Sequence, residues 1–204
     1  MDPHTIESHR SGWIEIVCGP MFSGKTEELI RRLRRARIAR QRVEIFKPAI
    51  DVRYSPQSVV SHDDTAINSV PIDTAEQILL LSANAQVVGI DEAQFFGSEL
   101  VPVCQMLAGQ GKRVVVAGLD LDYRGVPFEP VPQLMAVAEY VSKLHAVCMV
   151  CGGAAIHSQR LVRSGKRVLV GSKAAYEPRC RHCFVPPTEK EKGKKQKAKV
   201  TSDF

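Results

Sequence analysis

Eight residues limit the fold of this 204-residue chain more than any others. Gly19-Pro20-Met21-Phe22-Ser23-Gly24-Lys25-Thr26 fits the pattern G-x-x-x-x-G-K-[ST]. A short β-rich run, residues 13–17, leads into it. A helix-like run from residue 24 to about 41 leaves it, with Leu29, Leu33 and Ala36 on one face. In that context the glycines let the backbone wrap closely around phosphates. The loop N–H groups and the helix N-terminus supply positive partial charge. Lys25 is then placed to reach the β- and γ-phosphates of a nucleoside triphosphate, and Thr26 to hold Mg²⁺.

The rest of the chain has the rhythm such a loop needs. Apolar strand-like runs at 43–46, 87–90 and 114–118 alternate with helical runs at 74–82, 100–108 and 132–140. The strands are continuously apolar, which marks a parallel sheet covered on both faces. The expected architecture is α/β: a parallel-sheet, phosphate-binding-loop domain over residues 12–145. Residues 48–66 carry Pro48, Ser55, Pro56, Ser58 and Ser61 without a steady period, and read as a long mobile loop. Residues 1–11 read as a loose arm. The pattern changes near residues 143–147 to short, Gly- and Cys-punctuated segments, giving a second, small domain over 146–187. The tail 188–204 is Lys-rich and reads as disordered.

Two acids close the apolar run Val87-Val88-Gly89-Ile90. In phosphate-loop proteins an Asp at that strand end positions Mg²⁺. Asp91 takes that part, and its neighbour Glu92 is free to act as a base. Two acids capping the next helix are the plainer alternative.

Four of the six cysteines form two Cys-x-x-Cys pairs, Cys148/Cys151 and Cys180/Cys183, separated by 28 residues. Two such knuckles make a closed, tetrahedral, structural Zn²⁺ site. A disulfide or a redox pair remains open as an alternative, and His182 lies inside the second knuckle. Cys18 and Cys104 stand alone and read as small buried apolar residues.

The formal charge is +6, and the tail supplies half of it, with six Lys against Glu189, Glu191 and Asp203. The body is only mildly basic. Arg31, Arg32, Arg34, Arg35, Arg37, Arg40 and Arg42 crowd the first helix. No aromatic residues interleave with them for base stacking, so a solvated or subunit-facing surface is expected rather than a nucleic-acid face. No run reaches the roughly 18 apolar residues of a membrane span. Residues 1–11 lack the apolar centre of a signal peptide, so a cytoplasmic protein with no membrane partner is expected. Asp91-Glu92-Ala93-Gln94 also looks like a helicase box. A helicase of that type needs a second ATP-closing domain, for which this length has no room. A module that keeps ATP without chemistry sits poorly with an intact Lys25, Thr26, Asp91 and Glu92.

Taken together, these motifs resemble one family. The octapeptide at 19–26, Lys47-Pro48 followed by Asp51-x-Arg53-Tyr54, Asp91-Glu92-Ala93-Gln94-Phe95-Phe96, Gly118-Leu119-Asp120 with Pro127-Phe128, and the Cys pairs flanking Gly171 and Tyr176 closely resemble the type II thymidine kinases. The resemblance runs in register over about residues 13–185.

It implies a RecA-like α/β domain with a small zinc domain that lays a lasso-like loop over the nucleoside. It implies transfer of the γ-phosphate of ATP to the 5′-hydroxyl of thymidine, with deoxyuridine as a further candidate. Glu92 would be the general base. Asp51, Arg53, Asp91 and Gln94 would join the loop at the ATP site. The lasso, Arg167-Val168-Leu169-Val170-Gly171, would hold the base through its main chain, with Tyr176 closing the pocket. Phe95, Tyr123 and Phe128 would line it, and Met21, Leu119 and Ser158 would surround the thymine methyl. A homotetramer, Mg²⁺ with ATP, one Zn²⁺ per chain and inhibition by thymidine triphosphate complete the expectation. Members usually carry Thr where Ser158 stands and Gly where Ser172 stands.

Overall fold

The structure is a computed structural model and describes residues 12–50, 58–60, 66–162 and 175–187. Its centre is a six-stranded sheet in the order β5-β2-β6-β7-β1-β8. The strands are β1 (Trp13–Cys18), β2 (Val43–Pro48), β5 (Val70–Ile72), β6 (Val87–Ile90), β7 (Arg113–Gly118) and β8 (Tyr140–Lys143). Every neighbouring pair in that sheet is parallel. β1, β6 and β7 are buried almost throughout, as the unbroken apolar runs require.

Helices cover both faces. On one, α1 (Lys25–Ile38) buries Leu29, Ile30, Leu33 and Ala36 against Val17, Ile45, Val87, Val115 and Ala117. On the other, α2 (Gln77–Leu81), α3 (Leu100–Gly109) and α4 (Val131–Val137) enclose Ile16, Phe46, Val88, Ile90, Leu100, Val103, Leu107, Val114, Val116 and Leu134. Gly89 lets α1 approach the sheet, since a Cβ there would come within 2.5 Å of Leu33.

The ends of the sheet hold two polar networks. Glu15 of β1 accepts hydrogen bonds from Arg32 of α1, Arg113 of β7 and Trp13. Burial opposes ionisation of Glu15, but the bond from Arg113 and the nearby positive charge outweigh it and hold the carboxyl below its ordinary range. Lys112 donates to the carbonyls of Ser82, Ala83 and Ala85, just beyond α2.

Beyond β8 the chain forms two small antiparallel ladders. β9 (Ala146–Val147) pairs with β10 (Ala154–Ala155), and β11 (His157–Arg160) pairs with β12 (Tyr176–Arg179). A third ladder, β3 (Ser58–Val60) with β4 (Ala66–Asn68), lies within and just past the stretch read as one long loop. That reading is corrected to this extent.

Two other expectations change. The helix expected over 132–140 stops at Val137, because Ala138 turns to an extended backbone and Tyr140 and Val141 pair with Glu15 and Ile16 of β1. The helix expected over 74–82 contracts to α2. The arm 1–11 and the tail 188–204 lie outside the described residues. Among the described residues no helix is long and apolar enough to cross a membrane.

Candidate active site

Parallel α/β sheets bind ligands at the carboxyl ends of their strands. Here the three adjacent strands β6, β7 and β1 end at Ile90, Gly118 and Cys18, and the residues that follow form the candidate site.

β1 runs into the phosphate loop. Gly19 has φ +145° and Gly24 φ +81°. A Cβ on Gly19 would meet the Leu144 carbonyl at 2.4 Å, so only glycine fits. Phe22, at φ 66°, turns the loop through a backbone region that costs a non-glycine residue of order 1–3 kcal/mol. Its ring packs on Ala146, Cys148 and Ala155. Ser23 Oγ and Lys25 Nζ donate to the Pro20 carbonyl at 2.8 and 2.6 Å, and Glu28 N donates to the Gly24 carbonyl at 2.9 Å. Met21 N donates to Ser158 Oγ of β11 at 2.9 Å.

β6 delivers the acids. Thr26 Oγ1 donates to Asp91 Oδ2 at 3.3 Å, which brings together the two oxygens expected to share Mg²⁺. Asp91 is buried, and its Oδ1 accepts the Glu92 N–H at 2.9 Å. Glu92 sits at φ 54°, ψ 41°, a left-handed conformation uncommon for a glutamate. Gln94 donates from Nε2 to Glu92 Oε2, and its Oε1 accepts the Leu119 N–H at 2.9 Å. A Cβ on Gly118 would meet Val131 at 2.8 Å and Gln94 Oε1 at 3.2 Å, so this glycine lets α4 and the Gln94 amide pack close to the strand end.

β7 leads through Leu119 into a tight turn. Leu121 bridges Pro127, Phe128 N donates to the Asp120 carbonyl at 3.0 Å, and Phe128 is buried. Asp122 holds the turn: its Oδ1 accepts from Arg124 N and Val126 N, and its Oδ2 pairs with the Arg124 guanidinium at 2.7 Å. Tyr123 projects from this turn, with the Arg160 guanidinium 3.6 Å from its ring centroid. Arg160 also donates to the Tyr176 hydroxyl. Phe95 ends the short helical turn Ala93–Phe95 and is half-buried.

The structure thus brings most of the sequence-derived residues around one strand-end region. Asp51, Arg53, Arg167, Val168, Leu169, Val170 and Gly171 lie outside the described residues. Sequence reading did not single out Arg160, nor the Asp122–Arg124 pair that frames Tyr123. Asp120 stands in the Gly118-Leu119-Asp120 motif but is given no role there; it is buried, with its carboxylate 2.7 Å from Lys143 Nζ. The period-2 register of β11 was the available signal, since it sets Ser158 and Arg160 on one face of the strand.

The cysteine pairs converge. The Sγ atoms of Cys148, Cys151, Cys180 and Cys183 lie within 4.8 Å of one another, and those of Cys151 and Cys180 are 3.6 Å apart. A tetrahedral zinc with Zn–S bonds near 2.3 Å needs sulfurs about 3.8 Å apart, so four thiolates fit one ion. The thiols cannot all ionise unaided. Burial opposes ionisation of Cys148, but hydrogen bonds, the first of them from the Cys180 backbone, bring it down to about 6. Cys183 is pushed up to about 12 by its contact with Cys180, by burial and by the other thiols. A divalent cation removes that conflict. Cys18 and Cys104 are fully buried, and burial lifts them to about 11 and about 12, so neither is a reactive thiol.

Comparison with known proteins shows the family. A family profile described as "Thymidine kinase" matches residues 12–184. A "Thymidine kinase" of Rhodothermus sp. (strain ITI 518) is 68% identical over 176 residues, covering 86% of this chain and 83% of that protein. The "Thymidine kinase" of Bacteroides fragilis (strain YCH46) is 56% identical over 193 residues, 95% and 97% of the two chains. That of Bdellovibrio bacteriovorus is 58% identical over 182 residues, 89% of each. With its phosphate loop, its strand-end acids and its four-cysteine cluster all inside the matched span, the chain belongs to the thymidine kinase family.

Proposed function

We propose that this chain is a thymidine kinase that moves the γ-phosphate of ATP onto the 5′-hydroxyl of thymidine, giving thymidine monophosphate and ADP. The observation that carries the reading is the arrangement of Glu92. It follows Asp91 at the end of β6, beside the phosphate loop through the Thr26–Asp91 bond, and Gln94 holds its carboxylate.

In this reading the loop amides of residues 19–26 and the α1 N-terminus bind the ATP phosphates. Lys25 sets a fixed positive charge beside the transferring group. Thr26 and Asp91 would hold Mg²⁺, which supplies charge neutralisation on the β- and γ-oxygens when bound. Glu92 orients the 5′-hydroxyl and takes its proton late in the transfer. Met21, Phe95, Leu119, Tyr123, Phe128, Ser158 and Tyr176 surround the nucleoside, and residues 167–171 contribute main-chain contacts to the base. Asp51 and Arg53 complete the phosphate side.

The four cysteines hold one structural Zn²⁺ that fixes the nucleoside side of the cleft. Excluding water around the nucleoside prevents loss of ATP to hydrolysis. The functional form is a cytoplasmic homotetramer inhibited by thymidine triphosphate, and the family likeness supports that part.

A thymidine-dependent ADP-release assay tests the activity, with deoxyuridine as a second substrate and single-stranded DNA as control. Thymidine-stimulated release supports the kinase. Release stimulated by DNA and not by nucleoside would replace it with a nucleic-acid-dependent ATPase.

A further inference from the structure

Resting on the thymidine kinase reading, the geometry points to Arg160 as a positioning residue: one guanidinium that holds Tyr123 and Tyr176 in place as walls of the nucleoside pocket. Three chain segments meet at that group. Arg160 is on β11, Tyr176 lies directly opposite it in the β11–β12 ladder, and Tyr123 comes from the turn after β7. The guanidinium stacks on Tyr123, 3.6 Å from the ring centroid. Its Nε and Nη2 donate to the Tyr176 hydroxyl at 3.1 and 2.7 Å. Tyr176 is buried, so its hydroxyl needs a partner, and two donors from one planar fork also fix the direction of the ring.

The other side of the contact is rigid as well. Tyr123 is flanked by Asp122 and Arg124, whose ion pair and backbone bonds lock the turn that carries it. Arg124 lies 5.9 Å from the Tyr123 ring centroid, too far for the close stacking of Arg160. Arg160 therefore links two separately built pieces, the turn after β7 and the β11–β12 ladder, which also meet where Gly125 lies against His157. Ser158, two residues earlier on the same face of β11, is bonded to Met21 of the phosphate loop. One strand face thus sets the aromatic walls against the loop that holds the phosphates.

A pocket whose aromatic walls are ordered before substrate arrives binds more tightly than one that must order them on binding. Arg160 touches no reacting atom in this reading, so its loss acts on nucleoside affinity rather than on phosphate transfer. Lysine is a poor replacement, because it lacks the planar fork and the stacking face.

The test compares wild type, Arg160→Met, Arg160→Lys, Tyr176→Phe and Arg160→Met/Tyr176→Phe in steady-state assays with thymidine and ATP, with zinc content and melting temperature measured on each. Arg160→Met is expected to raise the thymidine KM by about 10- to 100-fold, the scale of a misplaced positioning group. Its kcat and ATP KM stay within about threefold of wild type, and Arg160→Lys recovers little. Tyr176→Phe, which keeps the ring and loses only the acceptor, raises the thymidine KM by about threefold or more, and the double variant shows less than the product of the single effects.

A thymidine KM within twofold of wild type in Arg160→Met overturns the inference. So do equal rises in the thymidine and ATP KM values, or multiplicative effects in the double variant. If Arg160→Met fails to fold or loses zinc, Tyr176→Phe decides alone: an unchanged thymidine KM overturns the inference and a raised one supports it. Failure of the wild type to use thymidine strikes the kinase reading instead, which keeps the two outcomes apart.

Discussion

Gln94 grips the carboxylate of Glu92 with its side-chain amide nitrogen while its amide oxygen accepts the Leu119 N–H. One side chain therefore ties the end of β6 to the end of β7 and aims the acid between them. Glu92→Gln keeps the shape but cannot accept a proton. It is expected to lower kcat by about 10²–10⁴-fold, the usual contribution of a positioned base, with ATP and thymidine binding retained. Asp91→Asn differs by weakening the response to Mg²⁺. Stopped-flow or steady-state kinetics on the two variants separate these outcomes, and a Glu92→Gln enzyme with most of its kcat makes some other group the base.

Lys25→Ala removes the fixed positive charge from the phosphate loop, where negative charge gathers in the transfer. Phosphoryl transfer is expected to fall to background, while the core and zinc content are unaltered. Radiolabelled ATP and thin-layer separation of the products read this directly. Near-normal turnover sinks the assignment of the loop.

Ser158 sets up a contrast between two substitutions. Thr keeps the hydroxyl that accepts the Met21 N–H and adds one methyl, worth roughly 1–3 kcal/mol at most in discrimination between thymidine and deoxyuridine. Ala leaves the Met21 N–H without its partner, at about 1–3 kcal/mol. Ser158→Ala is expected to raise the ATP KM, and Ser158→Thr to leave it unchanged. Equal ATP KM values in the two variants would show that the bond does not steady the loop.

Zinc should be present at one ion per chain in reduced protein, and structural zinc of this kind carries on the order of 10 kcal/mol of folding free energy. Chelation is expected to abolish nucleoside binding and to loosen the ladders β9–β10 and β11–β12. Metal analysis and proteolysis before and after chelation check it. Protein that lacks zinc yet binds thymidine normally refutes the site.

Glu15 makes the stability of the fold depend on pH. Its folded pKa is lowered, so its stabilisation is present above the unfolded value near 4.3 and is lost as pH falls through the folded value. Glu15→Gln leaves Arg113 without the Glu15 carboxylate, while Arg32 keeps its pair with Glu28. Both arginines are partly open to solvent, which reduces the effect below that of a fully buried pair, to about 2–3 kcal/mol at pH 7. The gap in melting temperature between variant and wild type should close as pH falls below about 4. A gap that stays constant into strong acid shows that the charge is not responsible.

Much of this was legible in the chain itself, for physical reasons. The runs at 87–90 and 114–118 are apolar without alternation because both faces are covered, and that pattern is visible in one dimension. The phosphate loop and the cysteine pairs are local, so their spacing survives as sequence. β5 and β8 were not legible. β5 contains Pro71 and is an edge strand, and β8 exposes Tyr140 and Val141 and follows a helical run without a clear break. The resemblance already set Tyr123 and Tyr176 around one pocket, but the part of Arg160 was hidden because three distant segments supply the contact. The pairing of Arg160 with Tyr176 across two strands and its stacking on Tyr123 reveal it.

The meeting of Gly19 with Leu144 has a consequence for recombining this enzyme with its relatives. Leu144 N donates to the Cys18 carbonyl, its own carbonyl lies where a Gly19 side chain would go, and Phe22 packs on the cysteine-bearing segment. The nucleotide half and the cysteine half therefore share a seam rather than a hinge. A chimera spliced between residues 143 and 144 inherits the floor of its phosphate loop, Leu144, from one parent and the loop itself from the other. It should work only when both parents agree at that seam, however well each half matches on its own.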